Sequence, residues 1–354
     1  MFAPCVTGRT CALCEDKRQI LLLKDQQATK FLSLMQYILD KVLLRNAKDN
    51  QLVHRLLVKL SEVSDILPHT ISIEGVTLEN TTPVARGGFA DIYRGQYAKG
   101  DVALKRLIIK EGYDIQREFL REALIWQQLR HENILPFLGV ALPASLGFKD
   151  ISGPSRLLCM VSPWMQNGTI CELRRLNGAQ NINIPRRIIE ISEGLAYLHS
   201  EGIIHGDLRG SNILVDDSWH VRLADFGLAF FNDSAITRTS NRRGSLRWMA
   251  PELLSPEFFE LRFQRTQETD TYAFACVCIE IYAGAEPFAG VPESALFWQV
   301  IQNKLRPRRP TGKGVGEIEM PDSTWALIER CWTHEPKARM KMTDVLAGLK
   351  AAQS

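Results

Sequence analysis

Ile204-His205-Gly206-Asp207-Leu208-Arg209-Gly210-Ser211-Asn212-Ile213-Leu214-Val215 is followed, thirteen residues after Asn212, by Asp225-Phe226-Gly227. These two stretches decide how the rest of the chain is read. Short apolar runs, Ile213–Val215 and Val221–Leu223, flank the loops and read as strands. Two acidic groups and one amide on neighbouring loops supply the hard oxygen donors that Mg²⁺ prefers, and the ion keeps part of its octahedral shell for phosphate oxygens. In such an arrangement Asp207 accepts a hydroxyl proton and aims the nucleophile, while Asn212 and Asp225 hold the metal. Each triplet alone occurs by chance, so its meaning depends on what surrounds it.

Upstream, Ala85-Arg86-Gly87-Gly88-Phe89-Ala90-Asp91-Ile92 reads as a glycine-containing hairpin that lets backbone N–H groups approach phosphates. Ten residues beyond Ile92 begins Val102-Ala103-Leu104-Lys105. On an alternating strand Ala103 and Lys105 share a face, so the small residue leaves room for a flat base and the ammonium reaches a phosphate. In Phe119-Leu120-Arg121-Glu122-Ala123, within a helical stretch Tyr113–Leu129, Glu122 lies beside the apolar stripe and is placed to hold that lysine; Glu118 is its local competitor. Downstream comes Ala250-Pro251-Glu252. The order of these elements, rather than any one of them, carries the argument.

Residues from about 76 to 350 resemble a eukaryotic-type protein kinase domain. The resemblance implies an α+β, bilobal fold: a small β-rich lobe (about 76–166) with one helix, and a large helical lobe (about 167–350). It implies ATP and Mg²⁺ as cofactors and a protein substrate. By position it assigns Asp207, Lys105, Glu122 and Arg209 to catalysis, and Asn212 and Asp225 to the metal. Nucleotide binding falls to Gly87, Gly88, Ile92, Ala103, Lys105 and Leu214, with Ser162 as gatekeeper and Pro163, Trp164 and Met165 as the hinge. Asp270 matches the buried aspartate that braces the catalytic loop, and Glu252 with Arg339 an ion pair that ties down the activation segment. Arg247-Trp248-Met249-Ala250-Pro251-Glu252 and Cys331-Trp332 look like the tyrosine-kinase-like group, and the His-Gly-Asp form is similar to fungal members. Gly244-Ser245 favours serine/threonine hydroxyls; Arg209 favours tyrosine or dual specificity.

Three departures from the pattern bear on activity. Ala85 and Ala90 stand where the first and third loop glycines are expected, and a Cβ costs on the order of 1 kcal/mol or more only where φ is positive. Gly206 replaces the arginine of H-R-D, so a phosphate on Ser234, Thr237, Thr239, Ser240 or Ser245 lacks its usual cationic partner. Trp126 is large for its place behind Glu122. The alternative function is therefore a pseudokinase scaffold that binds nucleotide or partners without phosphoryl transfer.

The remaining sequence sets limits. The chain has 354 residues, a net charge of +3, 45% hydrophobic and 23% charged residues. That composition excludes a disordered chain and gives no reason to expect a nucleic-acid partner. The apolar run Tyr272–Ile279 stops at Glu280, far short of a membrane span, and no secretory signal is visible, so a soluble cytoplasmic location is expected. Eight cysteines in a chain of this size are expected to be reduced thiols; Cys11 and Cys14, with Cys5 upstream, have half the spacing of a zinc site. Residues 1–14 are expected to be disordered and 15–75 to form a helical hairpin. Its stripes are Phe31, Leu34, Met35, Ile38 and Val42, then Val53, Leu56, Leu57, Leu60 and Val63. Asp49 or Asn50 is the expected cap of the second helix and Pro68 its end. The stripes pack on the following domain or, alternatively, serve self-association or docking.

Overall fold

The computed structural model describes residues 18–44, 46–87, 90–108, 114–142, 146, 159–177, 182–231 and 246–353. Gly88, the Cys5, Cys11 and Cys14 group, most of the Gly/Ser/Pro-rich stretch 143–155, and the hydroxyls from Ser234 to Ser245 lie outside the described residues. The described residues divide into two compact units: those up to Arg130 with Pro136–Trp164, and His131–Leu135 with Met165 onward.

The first unit begins with helices α1 (Asp25–Asp40) and α2 (Ala47–Ser64). An antiparallel sheet follows, formed by β1 (Thr77–Leu78), β2 (Ala85–Arg86), β3 (Ala90–Tyr97), β4 (Gly100–Leu107), β5 (Gly139–Ala141) and β6 (Cys159–Pro163) in the order β1-β3-β4-β6-β5, with β2 paired to β3. Helix α3 (Ile115–Gln128) lies between β4 and β5 in sequence. Alternation on β4 sends Val102 and Leu104 into a core with Val76, Tyr93, Ala141, Leu146, Cys159 and Val161. The Asp114 carboxylate caps α3 by accepting from Arg117 N at 3.2 Å.

Within the β-type run Thr77–Val84 only Thr77–Leu78 pairs as β1, because Asn80 Oδ1 accepts from Thr82 N and turns the chain. The cap of α2 is Asn46, whose side chain accepts from Lys48 N, in place of Asp49 or Asn50. The helix ends at Asp65 in the left-handed conformation, three residues before Pro68. The buried face of α1 is Ala28, Leu32, Met35 and Gln36, while Leu34 is 51% and Val42 75% exposed. A buried polar residue takes a place on this face: Gln36 Nε2 donates to Asp40 at 2.8 Å. In α2, Leu57, Val58, Leu60 and Ser61 are buried, and the helix packs on α3. The chain leaving α2 runs beside β5, where Ile73 N donates to Val140 O. Gly139 permits that approach: a Cβ there would stand 2.8 Å from Ile71 O.

The second unit is mainly helical: α4 (Ile170–Asn177), α5 (Ile184–Ser200), α6 (Pro251–Leu254), α7 (Gln267–Ala283), α8 (Glu293–Ile301), α9 (Asp322–Cys331) and α10 (Met342–Ala351). Two short antiparallel pairs join it, β7 (Ile203–Ile204) with β10 (Phe230–Phe231), and β8 (Ile213–Val215) with β9 (Val221–Leu223). Helix α7 has no separate polar face and is buried almost throughout, so Asp270 and Glu280 lie inside with its apolar residues. Thr266 and Thr269 form its capping box, and Gly284 ends it at φ +68°. In the Arg306–Arg309 stretch, Arg306 Nε donates to Trp332 O at 2.9 Å, while Arg308 stays exposed and pairs with Glu317 at 2.7 Å. The mixed α+β architecture, with one β-rich and one helical unit preceded by N-terminal helices, is the expected fold. Among the described residues no helix is long and apolar enough to cross a membrane.

Candidate active site

The first unit carries half of the predicted residues. Lys105 and Ala103 share a face of β4, opposite to buried Val102 and Leu104. Ile92 lies directly across from Lys105 on β3, and Ser162 across from Ala103 on β6. Strand pairing thus gathers Ile92, Ala103, Lys105 and Ser162 on one stretch of sheet. Lys105 Nζ lies 2.6 Å from Glu122 Oε1, and the Glu122 side chain is 3% exposed. Glu122 reaches the lysine because Leu120 and Leu124 anchor α3 in the core. Trp126 is accommodated against Phe137, ring centroids 5.3 Å apart. Gly87 N donates to Ala90 O at 2.8 Å and closes the hairpin between β2 and β3. At the end of β6, Pro163 pairs with Val102, and Trp164 N donates to Asp101 O at 2.9 Å, so the Trp164 amide is already engaged.

The second unit carries the other half. Asn212 Nδ2 donates to Asp207 O at 2.8 Å and lies 3.3 Å from Asp207 Oδ2. That use of the amide nitrogen leaves the carbonyl oxygen as the end able to bind a cation. Ala224 N donates to Asn212 O at 2.9 Å, which sets Asp225 beside the loop. Asp225 itself has φ +65°, a left-handed conformation sparsely used outside glycine. Arg209 Nε stands 3.6 Å from Asp207 Oδ2. Leu214, on β8, pairs with Arg222 and bridges Thr169. Met165 lies in the turn where Gly168 N donates to its carbonyl.

Helix α7 holds this loop by buried carboxylates. Asp270 Oδ2 accepts from His205 N at 2.8 Å and Oδ1 from Gly206 N at 2.9 Å, while His199 Nε2 lies 3.0 Å from Oδ2. Asp207 N donates to His205 Nδ1, so Nε2 carries the ring proton and donates to Ala224 O at 3.1 Å. The imidazole thereby links the loop of Asp207 to the residue preceding Asp225. Arg339 meets Glu252 through two nitrogens at 2.6 and 2.7 Å, a buried bidentate pair.

Sequence reasoning missed Glu280. Its Oε2 accepts from Gly210 N and from Trp248 Nε1, each at 2.9 Å, and its Oε1 accepts from Cys171 Sγ at 3.2 Å. Burial raises the Glu280 carboxyl above its ordinary range and pushes the Cys171 thiol up as well. A carboxylate ten residues after Asp270, at the end of an otherwise apolar helix, was the available signal. Cys159, Cys171, Cys276, Cys278 and Cys331 are all free thiols. Burial pushes Cys159 up to about 12, far from a reactive thiolate.

Residues 78–349 match the family described as protein tyrosine and serine/threonine kinase. The chain is 27% identical over 333 residues to the serine/threonine-protein kinase STY17 of Arabidopsis thaliana, covering 93% of this chain and 52% of that protein. It is 26% identical to the serine/threonine/tyrosine-protein kinase HT1 of the same plant, covering 75% of this chain and 64% of HT1. With the serine/threonine-protein kinase CTR1, also from Arabidopsis thaliana, identity is 27% over 74% of this chain and 30% of CTR1. The chain thus spans between about a third and two thirds of the length of these relatives. With the Lys105–Glu122 pair, the Asp207–Asn212 loop and a match over 78–349, the chain belongs to the protein tyrosine and serine/threonine kinase family.

Proposed function

We propose that this chain is an active protein kinase that transfers the γ-phosphoryl group of ATP to serine and threonine hydroxyls of a protein substrate. The observation that carries the reading is that both halves of the machinery are assembled. Lys105 is paired with Glu122 at 2.6 Å, and Asn212 is bonded to Asp207 within the loop that Asp270 holds. A pseudokinase has no need to keep both.

The donor set suits Mg²⁺: a carboxylate from Asp225 and an amide oxygen from Asn212 are hard ligands, and two protein ligands are typical where phosphates complete the shell. When bound, the ion neutralises charge on the phosphates. Lys105, held by Glu122, orients the nucleotide phosphates from the sheet face that Ala103 keeps open. Asp207 accepts the hydroxyl proton and aims the oxygen, with Arg209 Nε 3.6 Å from its carboxylate. By the family motifs, the nucleotide base is assigned to Ile92, Ala103, Leu214, Ser162 and the hinge Pro163–Met165, and the phosphates to Gly87 and Gly88.

The serine/threonine preference rests on Gly244-Ser245 and on the names of STY17 and CTR1, with the serine/threonine/tyrosine name of HT1 supporting dual specificity as the second reading. Placement in the tyrosine-kinase-like group, with a fungal-type His-Gly-Asp loop, rests on the sequence motifs alone. Packing of α2 on α3 supports a bracing hairpin rather than self-association, and the lack of a spanning helix among the described residues is compatible with a cytoplasmic protein. Phosphoamino-acid analysis of a generic protein substrate after incubation with labelled ATP and Mg²⁺ tests the reading. Phosphoserine and phosphothreonine are expected; phosphotyrosine alone overturns the specificity, and nucleotide binding without transfer favours the scaffold.

A further inference from the structure

Arg265 precedes the cap of α7 and is 8% exposed, with its guanidinium over the Phe263 ring at 5.3 Å. Its Nε donates to Gly206 O at 3.0 Å. That carbonyl belongs to the peptide bond whose nitrogen is Asp207 N, and Asp207 N donates to His205 Nδ1. Gly206 N, on the other side of the residue, donates to Asp270 Oδ1. The amide and carbonyl of Gly206 and the amide of Asp207 are therefore all held, and the donor to the carbonyl is the Arg265 guanidinium.

Gly206 and Arg265 are matched in shape as well as by the bond. Gly206 has φ +80°, and a Cβ there would stand 2.8 Å from Arg265 Cδ and 2.9 Å from Leu228 O. The arginine stem fills the space that a side chain at 206 would need, so the absence of one at 206 and the presence of a long one at 265 are two sides of one arrangement.

We propose that Arg265 is a positioning residue for Asp207: it clamps the Gly206–Asp207 peptide plane from the start of α7 and so fixes the direction in which the Asp207 carboxylate points. The inference rests on the kinase reading above and assigns the loop geometry to a residue that touches neither substrate nor nucleotide. A shift of the peptide plane alters the alignment of the reacting hydroxyl and leaves the nucleotide contacts in place. The loss therefore falls on kcat and not on KM for ATP.

The full chain is compared with Arg265→Met, which keeps the apolar stem without a donor, and Arg265→Lys, which restores a cation. The Met variant is expected to lose on the order of tenfold in kcat with KM for ATP within about twofold of the parent. Amide hydrogen exchange in the segment 203–209 should rise in the same variant, and the Lys variant should recover part of both. Parental kcat and exchange in the Met variant overturn the proposal. So does equal impairment of the Met and Lys variants in kcat and melting temperature alike, which marks a purely structural arginine. Arg265→Gln replaces the Met variant under the same criteria if the latter does not fold. If the parent chain transfers no phosphate, the kinase reading fails, and the exchange measurement alone decides whether Arg265 holds the loop.

Discussion

The two units position their chemical groups by opposite means. In the first, Lys105 on β4 is met by Glu122 from α3, a different element, through a short ion pair. In the second, the loop around Asp207 is suspended from one helix, α7, whose Asp270 and Glu280 together accept from His205, Gly206, Gly210 and Trp248. The first arrangement depends on where a helix sits. The second depends on buried acceptors that cannot be removed without leaving several donors unsatisfied. Activity and stability should therefore separate in the first unit once both partners of the pair are replaced, and fall together in the second wherever a buried acceptor of α7 is removed.

The largest effects break that contrast if it is wrong. Asp270→Ala strips the acceptor from two buried amides and His199, and is expected to cost about 3–5 kcal/mol in chemical denaturation as well as activity. Lys105→Met leaves the buried Glu122 carboxylate without its lysine and should also destabilise, by up to about 3 kcal/mol. Its double variant with Glu122→Leu replaces the pair by apolar groups and should regain the melting temperature while phosphoryl transfer stays lost. A double variant as unstable as the single one would mean that the pair is structural, like the contacts of α7.

Smaller effects sharpen the comparison within the N-terminal helices. Burial lowers His54 on α2 to about 4 from an ordinary 6.5. The folded state then binds this proton less readily than the unfolded chain, so stability is full above pH 6.5 and is lost as pH falls toward 4, by about 3 kcal/mol in total. Denaturation free energies at pH 7.5 and 5 capture about 2 kcal/mol of it, and His54→Gln should flatten that part of the profile. The smallest change expected is Asn46→Ala, about 1 kcal/mol from loss of the α2 cap, read by thermal melting.

What was legible in the sequence follows from how each contact is encoded. Lys105, Glu122, Asp207, Asn212 and Asp225 lie in short ordered motifs, so the order of the motifs and the family resemblance it carries pointed to them. The strands Ile213–Val215 and Val221–Leu223 have the bounds that apolar runs between turns demand. Arg265 and Glu280 escaped because their partners, Gly206 and Gly210, lie 59 and 70 residues away and are met through backbone atoms, which carry no residue signature. The hairpin stripe was misread for a related reason. Apolar periodicity cannot show that Gln36 and Ser61 enter the interior by bonding to Asp40 and to Ile66 O, respectively. The α2 end at Asp65 escaped because a left-handed non-glycine stop was outranked by the nearby Pro68.

The central claim is that the Asp207, Asn212 and Asp225 constellation transfers phosphate. Incorporation of label from γ-labelled ATP into a generic protein substrate, with Mg²⁺ present, tests it when the parent chain is run beside Asp207→Asn and Asp225→Asn. The account predicts label from the parent and a loss of at least about a hundredfold in both variants, with melting temperatures near that of the parent. Equal label in all three preparations would contradict it.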